Sequence, residues 1–381
     1  MRLIVAFLIT IFISFSCTRE NSNSNNQKNE LSKDVILEYA KGFSIEDRES
    51  YQIVTIRNPW QGAEGVEYKY VLIDKNIKIP KYLKKYTIIR TPIERVVCLS
   101  TTHVAFIDVI NKSNTIVGIS GLDYVNNKKI RKAINQQKVF DVGYDSNLNY
   151  ELIVSLKPDL VITYGVGGQV SSYNQRLNDL GIKTIIVAEY LETDPLGKLE
   201  WIKLIASLYN EEEHANLYFN KAEQEYNQLV ELTKTVNTKP KVLFGLPWKD
   251  AWYVPGGKSF LAKMVDDAGG EYIWKENQMR ESIPFDVESI FINASDAEVW
   301  LNTGTVNNKQ DILKLDERFK DFTPFQKAKI YNNNLQINEF GGIDYWESGL
   351  VQPQIVLKDM IKIIHPELLP DHELAFYKII E

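Results

Sequence analysis

Cysteine and histidine are scarce in this chain of 381 residues, and their scarcity excludes several kinds of site. The two cysteines, Cys17 and Cys98, are too few for a disulfide-rich scaffold or for a thiolate zinc or iron–sulfur centre. Cys98 lies in an apolar run, which predicts a core side chain. The four histidines include no pair at the i, i+4 spacing of a metalloprotease helix. Only His103 follows a predicted strand, and one histidine cannot form a closed zinc site.

The sequence also lacks the motifs of common enzymes and of nucleic-acid-binding proteins. It has no G-x-S-x-G elbow, and the glycines of residues 165–168 lack the Lys-Ser/Thr of a phosphate loop. We interpret these glycines as a turn beside a cleft. The net charge of −6, without a long basic run, argues against nucleic acid as a partner. We therefore expect a non-enzymatic protein without a cofactor or bound metal ion; the alternative, an enzyme, needs a nucleophile, a base or a metal cluster.

The N-terminus has the pattern of an export signal that ends at a cysteine. Arg2 precedes an apolar stretch that ends at Phe15 and is too short to span a bilayer comfortably. Residues 14–17 are similar to a loose bacterial lipobox, so we predict a signal peptide at 1–17 with Cys17 as the lipidated residue. The alternative is an ordinary secretory signal with an incidental cysteine. Residues 18–33, rich in Asn and Ser, predict a disordered tether, and hence a periplasmic or cell-surface location at a membrane.

Strand and helix signals alternate through much of the remaining sequence. Residues 96–99 form a short apolar run that ends at Ser100, which fits a buried strand followed by a helix cap. The strand signal recurs at residues 116–119 and 160–162. Such alternation favours a parallel sheet. Because the chain exceeds one typical core, we predict an α/β protein with two lobes, each a mainly parallel sheet flanked by helices.

The predicted boundaries follow from these signals. The first lobe spans residues 34–195 and includes a β-rich extension at 34–95, connecting helices occupy 196–238, and the second lobe spans 239–381. We predict a hairpin packed on the first lobe for the extension, rather than a small independent domain, because about 60 residues bury little surface. Apolar residues recur at helical spacing within 196–238, and a helix from Glu211 to Val236 would be about 39 Å long.

Four segments, in this order, resemble a known family. They are the strand–helix pattern from Val96, the helical segment from Trp201 to Ala215, the segment from Trp252 to Tyr272 and the last helix from Pro353 to Leu368. Together they are similar to the substrate-binding proteins of ABC importers for iron complexes and cobalamin, the helical-backbone (TroA-like) type of periplasmic-binding fold. The resemblance covers roughly residues 94–370. It implies two lobes joined by a long rigid helix, with the ligand in the cleft between them.

The expected ligand contacts lie beyond the carboxyl ends of the strands, where open parallel sheets bind ligands. Aromatic residues offer flat surfaces, threonine hydroxyls suit an anionic group, and an arginine would neutralise a ferric siderophore. The predicted contacts are Thr101, Thr102, His103, Tyr164, Trp248, Trp252, Tyr253, Arg280, Tyr345 and Trp346. The alternative for each aromatic residue is packing within a lobe. The expected cargo is a ferric siderophore or haem, and cobalamin is the second candidate.

Two glutamates match a further feature of the family, in which one glutamate on each lobe docks onto arginines of the permease. Glu151 and Glu288 stand at the matching positions, each at the start of an apolar run that precedes a strand. The alternative is a favourable carboxylate at a helix N-terminus. The resemblance thus implies an ABC permease and ATPase as partners, and a monomer by default. A lipoprotein that hands its ligand to an outer-membrane receptor is a third hypothesis.

Overall fold

The computed structural model describes residues 33–144, 147–168 and 170–381. The predicted signal peptide, Cys17 and nearly all of the predicted tether lie outside these ranges. Within them, no helix is both long enough and apolar enough to cross a bilayer. The described chain contains three five-stranded sheets and one three-stranded sheet.

The N-terminal extension forms the first five-stranded sheet. Its strands have the same order in space as in the chain: β1 (Lys33–Asp34), β2 (Phe43–Arg48), β3 (Tyr51–Arg57), β4 (Glu67–Asp74) and β5 (Thr87–Thr91). Neighbouring strands are antiparallel except β4 and β5. The hairpin predicted for the extension corresponds to β3 and β4. The strands β1, β2 and β5 enlarge that pair into a sheet.

Alternating side chains along β4 explain how this sheet is covered on both faces. Tyr70 and Leu72 face the core shared with the first lobe, whereas Val71 and Ile73 face the opposite side. A short 3-10 helix places Leu83 against the latter two. Because successive side chains of a strand point to opposite faces, one apolar run supplies both cores. The extension is therefore packed on the first lobe and also has a small core of its own.

The first lobe is a parallel sheet with the strand order β10-β9-β6-β7-β8. Its strands are β6 (Val96–Cys98), β7 (Ile116–Ile119), β8 (Phe140–Asp141), β9 (Leu160–Thr163) and β10 (Thr184–Ile186). The helices between them are α1 (Thr101–Val109), α2 (Lys128–Asn135), α3 (Tyr150–Leu156) and α4 (Val170–Asp179). Cys98 is a fully buried core side chain, as predicted.

The connecting segment consists of α5 (Pro195–Glu200), α6 (Ile202–Ser207) and α7 (Glu212–Thr233). At 22 residues, α7 is about 33 Å long. Phe219 of this helix packs in the first-lobe core, whereas Tyr226 and Leu229 pack in the second-lobe core. One continuous helix thus belongs to both cores, which confirms the predicted rigid connection between the lobes.

The second lobe has a five-stranded sheet in the order β14-β11-β16-β17-β18 and a three-stranded sheet in the order β12-β13-β15. Only β18 is antiparallel to its neighbour in the larger sheet. The strands are β11 (Lys241–Phe244), β12 (Pro247–Trp248), β13 (Ala251–Val254), β14 (Glu271–Tyr272), β15 (Ile283–Phe285), β16 (Val299–Leu301), β17 (Ile330–Asn332) and β18 (Lys378–Ile379). The helices are α8 (Phe260–Asp267), α9 (Val287–Ala294), α10 (Lys309–Leu313), α11 (Thr323–Gln326) and α12 (Pro353–Ile364). The predicted two-lobed α/β fold is confirmed.

Two buried carboxylates, Glu192 in the loop before α5 and Glu200 at the end of α5, fix the extension to this part of the chain. Glu200, with no exposed surface, accepts hydrogen bonds from the backbone amides of Glu38, Tyr39 and Ala40 at 3.1, 2.9 and 2.8 Å, and Lys203 pairs with it at 2.7 Å. Glu192 accepts bonds from the amides of residues 41 and 42 and from the indole N–H of Trp201. The bonds to the amides of Ala40 and Gly42 join residues that are 160 and 150 positions apart in sequence.

We predict that Glu200→Ala lowers the free energy of unfolding by about 3–5 kcal/mol, because it leaves three amides and the Lys203 ammonium without their buried acceptor. Urea-induced unfolding followed by circular dichroism measures this loss. Glu231→Ala removes an exposed glutamate–lysine pair on α7 and serves as the control, with an expected change below about 0.5 kcal/mol. Equal effects of the two substitutions would show that the extension does not depend on this carboxylate.

Candidate functional site

A helix cap places two hydroxyl side chains where the central strand of the first lobe ends. The Ser100 hydroxyl accepts a hydrogen bond from the Thr102 amide at 3.2 Å, and α1 begins at Thr101. This confirms the cap expected from the sequence. The turn from strand to helix leaves Thr101 and Thr102 at the edge of the sheet, on the side where α/β sheets bind ligands.

A cavity of about 430 Å³ lies between this edge, the connecting segment and the second lobe, and we call it the main cavity because it holds the residues at the strand end. Its size is within the usual range of small-molecule sites. Ser100, Thr101 and Thr102 line it from the first lobe. The loop before α5 supplies Glu189 and Tyr190, and α5 supplies Pro195 and Lys198. The second lobe supplies Phe260, Met264, Tyr345, Trp346, Gly349, Leu350, Pro353 and Val356.

Aromatic rings form much of the second-lobe wall. The rings of Tyr345 and Trp346 meet edge to face at 4.7 Å. Tyr345 is buried against Tyr377, whereas Trp346 is half exposed and able to contact a ligand. Phe260 continues the wall and lies 4.4 Å from the Lys198 ammonium, measured to the ring centroid. Such a surface suits a large, flat ligand.

Two buried charged residues, Glu189 and Lys198, lie at the base of the main cavity. The Lys198 ammonium donates a long bond of 3.4 Å to the backbone carbonyl of Glu189. Burial lowers the pKa of Lys198, and the nearby carboxylates of Glu189 and Glu192 oppose that shift. Burial raises the pKa of Glu189, against the effects of Lys198 and the Thr102 hydroxyl. Oε2 of Glu189 has no hydrogen-bond partner, so this oxygen is able to accept a hydrogen bond from a ligand.

A smaller cavity of about 160 Å³, the second cavity, adjoins the main one. Tyr190 and Phe260 line both cavities. Its wall is more polar than that of the main cavity and includes Gln61 and Arg280. The Arg280 guanidinium pairs with Glu281 at 2.8 Å and remains partly exposed. A ligand that fills the main cavity can therefore extend a polar group towards Arg280.

The structure brings five of the predicted ligand contacts to the cavities. Thr101, Thr102, Tyr345 and Trp346 line the main cavity, and Arg280 lines the second. Sequence reasoning missed Gln61, Glu189, Tyr190, Lys198, Phe260 and Met264. Phe260 and Met264 lie between Trp252 and Tyr272, in a segment that resembles the family. That resemblance is the signal in the sequence that could have identified them as cavity residues.

Three other predicted contacts pack inside the lobes. His103 is fully buried on α1 beside Tyr164, and burial lowers the pKa of its imidazole to about 3. Tyr164 packs against the first-lobe core on the side of Val97. Trp252 is fully buried, stacks on Trp300 at 5.7 Å and donates its indole N–H to the carbonyl of Phe244. These placements favour lobe packing, the alternative for aromatic residues, over contact with a ligand.

The remaining two aromatic residues, Trp248 and Tyr253, are exposed on the small sheet of the second lobe and line neither cavity. Trp248 lies under the Lys249 ammonium, 4.3 Å from the ring centroid. In the part of the chain that the structure describes, no three His, Cys, Asp or Glu residues come together as a metal site.

Glu151 and Glu288 occupy equivalent places in the two lobes. Each is exposed in the first turn of its helix, α3 or α9. Helix α3 leads into β9, which pairs with β6, and α9 leads into β16, which pairs with β11. Asn149 and Asp286 cap the two helices. Glu288 lies 3.4 Å from Arg318. The geometry suits both the docking role and the helix N-terminal role expected from the sequence.

The lobes also contact each other beside the main cavity. The buried carboxylate of Glu347 in the second lobe accepts bonds from the amides of Asn126 and Asn127 in the first lobe, at 2.6 and 2.9 Å. Asn338 donates its side-chain amide to the carbonyls of residues 123 and 125. Gly342 makes this contact possible, because a Cβ there would lie 2.2 Å from the carbonyl oxygen of Tyr124.

Comparison with known proteins identifies the fold. The profile of a family described as periplasmic binding protein matches residues 96–333, more than half of the chain. The chain belongs to this family. An uncharacterized lipoprotein of Methanocaldococcus jannaschii is similar to this periplasmic binding protein, with 28% identity over 98% of this chain and 94% of the relative.

Solved structures share the fold of this periplasmic binding protein. The periplasmic haem binding protein HutB of Vibrio cholerae has a TM-score of 0.57 and 18% identity, over 71% of this chain and 99% of that chain. An ABC-type Fe3+-hydroxamate transport protein of Saccharomonospora viridis has a TM-score of 0.54 and 15% identity, over 72% and 94%. The periplasmic vitamin B12 binding protein BtuF of Vibrio cholerae has a TM-score of 0.50 and 13% identity, over 74% and 99%.

We predict that Glu347 makes the stability of the protein fall between pH 4.5 and about pH 7. Burial raises the pKa of this carboxyl from its ordinary 4.5 to about 7, against the amides of Asn126 and Asn127, and Asp344 and Asp108 raise it further. The folded state therefore holds the proton more tightly than the unfolded chain. The resulting stability, about 3 kcal/mol, is present below pH 4.5 and is lost as the pH rises through 7.

Urea-induced unfolding at pH 5 and pH 8 measures this effect. Glu347→Gln should show a smaller fall in unfolding free energy between the two pH values than the wild type. Glu339→Gln is the matched control, because Glu339 also faces the first lobe, 3.6 Å from Arg131, but is largely exposed. The assignment to Glu347 is wrong if the two variants retain the same pH dependence.

Proposed function

We propose that this protein is the substrate-binding lipoprotein of an ABC importer, and that it captures an iron complex, a ferric siderophore or haem, in the main cavity. The observation that carries the proposal is the aromatic-walled cavity between two lobes, with Lys198 at its base and Arg280 beside it. The rings suit a chelate or macrocycle, and the cations suit its anionic groups. Structures named for haem and for Fe3+-hydroxamate share the fold.

Cobalamin is the second candidate cargo. Glu189 and Lys198 offer an acceptor and a donor side by side, and the side amides of a corrinoid carry both kinds of group. A vitamin B12 binding protein also shares the fold. Cobalamin and the iron complexes would all place a large ring or chelate against the aromatic wall. They differ mainly in the peripheral groups that would meet Glu189 and Lys198.

The membrane anchor is part of the same proposal. Cys17 follows an apolar stretch that begins after Arg2, and the M. jannaschii relative is named a lipoprotein. A lipid on Cys17 would keep the protein at the membrane while residues 18–33 act as the tether. The binding protein would then deliver its ligand to a permease that works with an ATPase.

The first test is a tryptophan-fluorescence titration of the chain from Thr18 onward. We expect saturable quenching by a ferric trihydroxamate, a ferric catecholate or haem, and affinity reduced about tenfold or more in Trp346→Ala, which removes a ring of the cavity wall. Trp248→Ala, which changes an exposed ring outside both cavities, is the matched control. Absorbance controls correct for inner-filter quenching.

Each outcome of this titration bears on the proposal. Quenching by cyanocobalamin alone would select the second candidate. Flat responses to the three iron complexes and to cyanocobalamin would reject the proposed cargo. Equal losses of affinity in Trp346→Ala and Trp248→Ala would place the binding site outside the main cavity.

The docking proposal is tested with the double variant Glu151→Ala/Glu288→Ala. We expect ligand affinity to stay unchanged, because both residues lie outside the main and second cavities, while ligand uptake by cells falls at least about tenfold through the loss of two ion pairs with the permease. Glu213→Ala is the control, since Glu213 is also exposed in the first turn of a helix, α7. Uptake that is unchanged in the double variant would overturn the docking role.

A further inference from the structure

The family match does not account for the N-terminal extension. The match begins at residue 96, after the five strands of the extension. The M. jannaschii relative, in contrast, is similar over 98% of this chain. A separate structural reason is therefore needed for a sheet of this size on the first lobe.

The extension is held in one position relative to the cleft. Glu192 and Glu200 bind the backbone amides of residues 38–42, as described above, and the Arg57 amide donates to the carbonyl of Gly42 at 2.8 Å. Ile45, Val54 and Ile56 of the extension pack in the same core as the first lobe. A loop carried by this sheet is thus fixed with respect to the first lobe and the connecting segment.

The loop between β3 and β4, residues 58–66, is closed by its own hydrogen bonds. The Asn58 amide donates to the carbonyl of Val66 at 2.8 Å, and the Val66 amide donates back to the Asn58 side chain at 3.1 Å. Within the loop, the Ala63 amide donates to the carbonyl of Trp60 at 3.1 Å. Asn58 has a positive φ of 45°, a conformation that Asn tolerates better than most residues. These bonds give the loop a defined shape.

Trp60 attaches the loop tip to the first lobe. Its ring meets Tyr68 edge to face at 6.2 Å and packs against the core cluster that contains Val97 and Val161. Its indole nitrogen lies beside Gly168, in the turn that follows β9. The tryptophan therefore holds the loop against the edge where the strands of the first lobe end.

The next residue, Gln61, reaches the second cavity. It lines that cavity together with Tyr190 of the loop before α5 and with Arg280 and Glu281 of the second lobe. Burial raises the pKa of Tyr190 to about 12, and the backbone amide of Gln61 opposes that shift, which reflects how close the loop lies to this ring. The Tyr190 hydroxyl donates to the carbonyl of Gly165 at 2.8 Å. The extension, the loop that precedes α5 and the second lobe thus meet at one small cavity.

We propose that the loop of residues 58–66 is a third wall of the ligand cleft, and that Gln61 and Arg280 together bind a polar, oxygen-bearing group of the ligand in the second cavity. This inference rests on the proposed function. Gln61 offers an amide donor and an acceptor, and Arg280 offers donors for carboxylate or carbonyl oxygens. The main cavity takes the flat body of the ligand, and its peripheral group passes between Tyr190 and Phe260 into the second cavity.

The test compares ligand affinity in Gln61→Ala, Trp60→Ala and Glu64→Ala, measured by fluorescence titration of the chain from Thr18 onward. The probes are a ferric trihydroxamate, a ferric catecholate, haem and cyanocobalamin. For the probe that the wild type binds, Gln61→Ala should weaken binding about three- to tenfold, the usual effect of one lost hydrogen bond. Trp60→Ala should weaken it at least as much, because the loop loses its attachment. Glu64→Ala is the matched control, exposed in the same loop but outside both cavities.

The outcomes separate this inference from the proposed function. If the wild type binds a probe and its affinity is unchanged in both Gln61→Ala and Trp60→Ala, the loop is not a wall of the cleft and the proposed function stands. If the wild type binds none of the probes, the proposed function fails, and this inference fails with it. A loss of affinity in Gln61→Ala that Glu64→Ala shares would also reject the specific role of Gln61. Circular dichroism of each variant establishes that the fold is retained.

Discussion

The structure depends on a short segment, residues 189–200, whose charged side chains are almost all buried. Glu192 and Glu200 bind backbone amides of the extension, while Glu189 and Lys198 line the main cavity. A buried charge is tolerable only where hydrogen bonds or an opposite charge replace water. The positions of the extension and of the cavity base are therefore set by the same segment, and a displacement of one would leave charges of the other unsatisfied.

The two lobes are joined in two physically different ways. Helix α7 contributes Phe219 to one core and Tyr226 to the other, so a change in the angle between the lobes would disturb close-packed side chains. Hydrogen bonds from the amides of Asn126 and Asn127 to Glu347 also hold the lobes together. Polar bonds can be exchanged for bonds to water at lower cost than a core can be repacked. Opening of the cleft is thus expected to involve the Glu347 contact, with α7 as the fixed side.

Local signals in the sequence are sufficient for the fold class, the central strands and some of the residues that line the cavities. The apolar run before Ser100 predicts a buried strand and a cap, and Thr101 and Thr102 follow that strand in the structure and line the main cavity, because strand ends are local features. Trp252 was harder, since its burial depends on pairing between β13 and β15 and on stacking against Trp300, which is distant in the chain. Lys198 lies in a helical stretch, where a charged residue normally faces solvent. Its burial is a tertiary effect that periodicity does not contain.

The buried pair of Glu189 and Lys198 also bears on what the cavity is built to hold. Most of the main cavity wall is apolar, and a wholly apolar ligand would cover these two groups without bonding to them, at a cost in binding free energy. A ligand with polar groups at the edge of a flat body would instead complete their hydrogen bonding. The same reasoning applies to Arg280 in the second cavity. If the main cavity is the ligand site, as proposed, this distribution of charge would favour an apolar frame with a polar periphery, and affinity would depend on where the peripheral groups meet the two polar positions.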